Sequence, residues 1–196
     1  MNCDDEASAG LAGVRAVFMS DLTHVVGNMA REQVYEALKG QSFTRGLAQA
    51  HLAKLASLAQ EVNFQEDQTI FRAGQRSGYL YLLLSGYVCI EIKSPVYSIC
   101  LQALGPGEAF GWSSVIDRHY TVFQVRALQP SIALRMDAEQ LMAACREDPQ
   151  FGFELFGRLL ELVASRLRAT ESRLAEFCGI SNPLVSRRSC DGHDGA

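Results

Sequence analysis

The sequence predicts a mainly β chain with flanking helices, its strands antiparallel in a sandwich or jelly roll, followed by one long helix. Three observations predict this. Between about Val62 and Met136, short β-branched and aromatic runs alternate with glycine-rich turns, the pattern of antiparallel architectures rather than parallel sheets. Helical periodicity is confined to the two flanks of that region. After Pro149, apolar residues recur in steps of four and three as far as Phe177, which marks a helix much longer than the others.

Residues 1–30 hold Gly, Ala, Ser and Asp with weak periodicity and are expected to be a poorly ordered leader. The first helix is expected from Met29 to Gly40, with Val34 and Leu38 four apart and a glycine stop. A second starts near Leu47 and presents Leu52, Leu55 and Leu58 on one face. Strands are then expected at Val62–Phe64 and Thr69–Phe71 around a turn. Tyr79–Leu84 and Tyr87–Ile92, joined by Ser85-Gly86, read as a hairpin. Ser98–Leu101, Val122–Ala127 and Ile132–Met136 complete the set. Asp137 is placed to cap a short helix over DAEQLMAACRE.

The long helix is expected from about Phe151 to Phe177. Phe156, Leu160, Val163, Leu167, Thr170, Leu174 and Phe177 form a heptad seam, and Leu155, Leu159 and Leu162 form a second apolar face. One face suits the chain's own barrel and the other a second copy, so the chain is expected to form a homodimer through this helix. Residues 31–177 are read as one domain and 178–196 as a flexible tail.

Composition narrows the function. A charged fraction of 20% and a net charge of −4 favour neither nucleic acid nor an anionic membrane. No apolar run approaches the roughly 20 residues needed to cross a bilayer, and the acidic start, MNCDDEASAG, is unlike a signal peptide. A cytoplasmic protein is expected. Six cysteines show no CxxC pair; Cys89 and Cys100 lie in apolar strands and read as buried small hydrophobes. The histidines, His24, His51, His119 and His193, are scattered, so neither a cupin-like metal site nor a catalytic triad is expected. An enzyme is therefore disfavoured, with no catalytic and no metal residues assigned.

The segment from Leu104 to Ala127 carries the candidate site. Gly105-Pro106-Gly107 makes a tight turn, followed by Phe110, Gly111, Trp112, Ser113 and Ser114, then a return through Thr121, Val122 and Phe123. A glycine turn, a short loop and a return strand can aim backbone N–H groups at an anion. The arrangement resembles the phosphate-binding cassette of the cyclic nucleotide-binding domain in CRP/FNR-type regulators. Ile70-Phe71 then Gly74, Leu80–Gly86, Val125-Arg126-Ala127 and Arg166–Thr170 fit the same family, so the resemblance spans residues 35–177. It implies an eight-stranded jelly-roll barrel, with Phe43 and Leu47 plugging its edge and Arg166–Thr170 closing over the ligand base.

The resemblance also shows what is missing. The position of the family's ribose-binding glutamate is Trp112, and that of its phosphate-binding arginine is Thr121. A threonine hydroxyl cannot replace a bidentate guanidinium–phosphate contact without a large loss. Arg126 lies five residues from Thr121, on the opposite strand face. Trp112 either stacks on a planar ligand or fills the vacated space. Ser113 and Ser114 bind an anion or satisfy their own turn. Thr170 matches the family's base-contacting hydroxyl or is a tolerated polar seam residue. The expectation is a non-enzymatic sensor or interaction module that does not bind ordinary cAMP or cGMP tightly. No cofactor is assigned; an unidentified nucleotide-like ligand and a protein partner are left open. The alternative is a transcription regulator of the same family, but the residues after Phe177 are too few for a winged helix-turn-helix. Direct DNA binding is thus not expected.

Overall fold

Two antiparallel sheets face each other, and helices cover the outside of one of them. The computed structural model describes residues 25–27, 29–75, 77–94, 96–116, 121 and 123–179. Their elements run β1 (Val25–Val26), α1 (Arg31–Leu38), α2 (Gln49–Leu58), β2 (Ala59–Phe64), β3 (Thr69–Phe71), β4 (Tyr79–Ser85) and β5 (Val88–Lys93). There follow β6 (Ser98–Leu104), β7 (Ala109–Phe110), α3 (Ser113–Ile116), β8 (Gln124–Ala127), β9 (Ser131–Asp137), α4 (Ala138–Glu147) and α5 (Pro149–Phe177). One sheet has the order β1-β2-β9-β4-β7 and the other β3-β8-β5-β6. This is the antiparallel sandwich expected. It has nine strands among the described residues rather than eight, because Val25 and Val26 pair with Asn63 and Val62 at the sheet edge. Those two residues had been assigned to the leader; residues 1–24 and 180–196 lie outside the described residues.

β4 explains why the chain has two cores. Its side chains alternate, so Leu80 and Leu82 join the cluster under the helices while Tyr81 and Leu83 join the cluster between the sheets. Val34 and Leu38 of α1, Leu52 and Leu55 of α2, and Leu155 and Leu159 of α5 enter the helix-side cluster. Full burial of a leucine contributes about 1.5–3 kcal/mol, so the apolar stripe of α5 anchors its first half firmly. Between the sheets the aromatic rings stack, Tyr81 on Phe110 at 4.9 Å and 6°. Burial pushes the Tyr81 hydroxyl well above the ordinary phenol range.

Three expectations need correction. Ser85-Gly86 does not close a hairpin: β4 pairs with β7 and β9, and β5 pairs with β6 and β8. The turn instead carries the chain from one sheet to the other. Gly86 has φ +85°, and a Cβ there would meet the Pro130 carbonyl oxygen at 2.7 Å, so the crossing is wedged against the turn before β9. Cys89 and Cys100 are not both buried thiols. They form a disulfide, because a bulge between Ile90 and Glu91 in the β5–β6 pairing brings their Cα atoms to 6.0 Å, within disulfide reach. Finally, α5 starts at Pro149, not Phe151. Proline is tolerated at the first helical position, and the Asp148 carboxylate caps the helix by accepting from the Phe151 N–H at 3.1 Å. Asp137 caps α4 as expected, accepting from Glu139 and Gln140 at 3.0 Å.

Among the described residues no helix is long and apolar enough to cross a membrane.

Candidate functional site

The glycine turn is a β-turn in which the Glu108 N–H donates to the Gly105 carbonyl at 3.2 Å and Gly107 takes φ +85°. Proline at the second position and glycine at the third are what a type II turn requires. The turn docks on β4, with the Gly107 N–H donating to Leu83 O at 2.8 Å and the Leu83 N–H to Glu108 O at 3.0 Å. The Gly105 N–H donates to the Glu108 carboxylate at 2.8 Å. These three turn N–H groups, which the sequence reading offered to an anion, are thus satisfied inside the chain.

Phe110 belongs to the core between the sheets. Gly111 follows with φ +78°, and a Cβ there would meet the Tyr79 carbonyl oxygen at 2.5 Å. Only glycine fits that approach. Ser113 is half-buried at the start of α3. Ser114 is buried, and its hydroxyl donates to Gly111 O at 2.7 Å, completing its own turn. Thr121 binds locally too: its hydroxyl donates to Phe123 O at 3.0 Å and accepts from the Phe123 N–H at 3.2 Å. Its backbone is tied to Gly74 and Gln75. Val122 lies outside the described residues. Arg126 is held by the Glu91 carboxylate at 3.2 Å and by Asp67; the bond to Glu91 favours its charged form still further.

Two of the predicted site residues meet at a cavity of about 260 Å³ between the sandwich and α5. Trp112 and Thr170 both line it, with Ile90, Leu101 and Phe123 from the sandwich side and Val163 from the helix. Trp112 packs against the helix-side cluster and leaves the cavity open beside it. The Thr170 hydroxyl donates back to Arg166 O at 2.9 Å. Phe110, Ser113, Ser114 and Thr121 do not line the cavity.

The sequence reading named Arg166 only as part of the Arg166–Thr170 stretch and gave it no role of its own, yet it joins the site to the helix. It is nine-tenths buried. One terminal nitrogen donates to the Glu108 carboxylate at 3.1 Å and the other to Ala109 O at 3.1 Å. Its Nε is buried without a hydrogen-bond partner. The available signal was its spacing, for Arg166 continues the Leu155–Leu159–Leu162 face by one more step of four. Arg173, also at the cavity, was missed as well. Among the described residues, no group of three or more His, Cys, Asp or Glu side chains is placed to hold a metal ion.

The fold and site together define an antiparallel β sandwich whose glycine-turn segment is latched to a long helix over a small cavity. Comparison with known proteins shows what this architecture is similar to. Residues 61–148 match the family model of the cyclic nucleotide-binding domain. Over that segment the chain is similar to cyclic nucleotide-binding domains, and its sequence is similar to CRP-like regulators. It is 28% identical over 143 residues to the CRP-like cAMP-activated global transcriptional regulator of Mycobacterium tuberculosis, an alignment covering 72% of this chain and 62% of that protein. The chain therefore spans under two thirds of that relative's length. Among solved structures, a cyclic nucleotide-binding domain from Methylobacillus flagellatus shares the fold at a TM-score of 0.67 and 22% identity, over 80% of this chain and 89% of that one. The Thermus thermophilus catabolite activator protein matches at a TM-score of 0.58 and 27% identity, over 69% of this chain and 62% of that one.

Proposed function

We propose that the chain is a non-catalytic regulatory module that works as a homodimer and does not bind ordinary cAMP or cGMP tightly. One observation carries this reading: where the family's carboxylate and guanidinium are expected stand Trp112 and Thr121, and the Thr121 hydroxyl is engaged by Phe123. Each charge-assisted hydrogen bond contributes about 1.5–3 kcal/mol, so losing two weakens binding by roughly two to four decades. Support for the homodimer comes from α5, where Leu160, Leu167, Leu174 and Phe177 of the heptad seam are 57–91% exposed in the single chain. An apolar stripe of that length is the kind of surface a second helix covers.

A cytoplasmic location belongs to this reading. The net charge of −4 supports the further reading that the chain alone does not bind DNA. The 28% identity to a transcriptional regulator favours a second reading, in which DNA binding is supplied by another polypeptide.

Calorimetry with cAMP and cGMP tests the proposal. No saturable heat is expected at micromolar ligand in the wild type, with partial recovery in the double variant Trp112→Glu/Thr121→Arg. Low-micromolar cAMP binding at one site per subunit would refute it.

A further inference from the structure

We infer that the cavity beneath α5 takes a small, largely apolar organic anion, an aromatic or aliphatic carboxylate. The inference rests on the reading that the site has lost ordinary cyclic nucleotides, and it names what the remaining space fits. Its walls are apolar or aromatic, built from Ile90, Leu101, Trp112, Phe123, Val163 and Leu167. At about 260 Å³ it falls below the roughly 300–1,000 Å³ of pockets that bury drug-sized ligands. A small ligand with a flat or slender apolar body therefore suits it.

Charge selects the ligand's head group. The titratable side chains lining the cavity are Arg166 and Arg173, and no carboxylate lines it. Arg166 is neutralised by Glu108. Arg173 makes no hydrogen bond or ion pair among the described residues, so it leaves one uncompensated positive charge at an apolar pocket. A carboxylate beside that guanidinium gains a charge-assisted, planar contact. The apolar body meanwhile removes Trp112 and Phe123 surface from water.

Trp112 is the single tryptophan of the chain, so its fluorescence reports on this cavity directly. The probes are benzoate, 3-phenylpropionate and octanoate, each paired with its uncharged amide, added to the full chain at neutral pH. A saturable change in Trp112 emission is expected with at least one acid, which binds roughly tenfold or more tightly than its amide. Arg173→Ala should reduce affinity for the acid to that of the amide and leave the thermal melt and amide binding unchanged. Arg173→Lys should keep part of the preference. No saturable change with any of the three acids, or equal affinity for acid and amide, would overturn the inference. Low-micromolar displacement by cAMP would instead overturn the reading of a lost nucleotide site, while the acid-to-amide ratio still judges the charge argument.

Discussion

Replacing Arg166 by methionine keeps a long side chain on the buried face of α5 but removes both contacts to the glycine-turn segment. The bond to Glu108 is charge-assisted, at 3.1 Å, but the Glu108 side chain is 40% exposed and regains water when the guanidinium leaves. The bond to Ala109 O, also 3.1 Å, is buried, and a buried carbonyl without its donor costs about 1–3 kcal/mol. Against this stands a gain, because Arg166 Nε is already buried without a partner and its removal relieves that cost. The balance is a destabilisation of roughly 1–3 kcal/mol, and a chain of this size loses about 2–4 °C of Tm per kcal/mol. Chemical denaturation read by circular dichroism, with Trp112 fluorescence beside it, measures both the global loss and any loosening at the cavity. Arg166→Lys should rescue little, since one ammonium on a point-like head cannot serve two divergent acceptors as a guanidinium does. A methionine variant as stable as wild type, with unchanged Trp112 emission, would refute the idea that this residue latches the helix to the site.

Gly111→Ala should cost more than 2 kcal/mol, because φ +78° disfavours any side chain and its Cβ would approach the Tyr79 carbonyl at 2.5 Å; an alanine variant with an unchanged denaturation midpoint would contradict this. Leu167→Glu places a charge in the heptad seam and should convert the proposed dimer to a monomer by sedimentation; a wild type already monomeric at tens of micromolar removes the premise. The third concerns acid. The Lys54 ammonium holds Asp148 below the ordinary carboxylate range, and the His51 ring does the same for Glu154. Groups with depressed folded-state pKa values stabilise the fold above their unfolded pKa and lose that contribution as pH falls through the folded value. Wild type should therefore lose stability below the ordinary values of 3.8 and 4.5. The variant His51→Ala/Lys54→Met should show a shallower dependence across that window, and parallel curves would contradict the assignment.

Periodicity made the helices and most strands legible because it records which face is buried. Leu155, Leu159 and Leu162 are four and three apart, and the first two are fully buried in the helix-side core. Asp137 was legible for a local reason, since a capping carboxylate and its N–H partners lie within three residues of each other. What failed depended on distant chain. Ser85-Gly86 announces a change of direction but not whether the next strand pairs with the last one, and that choice is made by β9 and β7 binding β4 on both sides. The Cys89–Cys100 bond depends on a bulge, which leaves no mark in the spacing of the two residues. Arg166 lay in plain view on an apolar stripe, but a charge at such a position reads as solvated until its acceptors, Glu108 and Ala109, are known to face it.

The glycines of the turn segment explain why a family pattern persists where its polar anchors do not. Gly107 sits at φ +85° in a turn whose N–H groups bind Leu83 and Gly105, and Gly111 sits where any Cβ would strike the Tyr79 carbonyl. Both positions require glycine for the fold alone, whether or not an anion ever binds. Trp112 and Thr121 are under no such backbone constraint, so their identities can change without unfolding the sandwich. Glycine spacing in this segment is therefore evidence of architecture, and the side chains at Trp112, Thr121 and Arg173 are the evidence that bears on ligand.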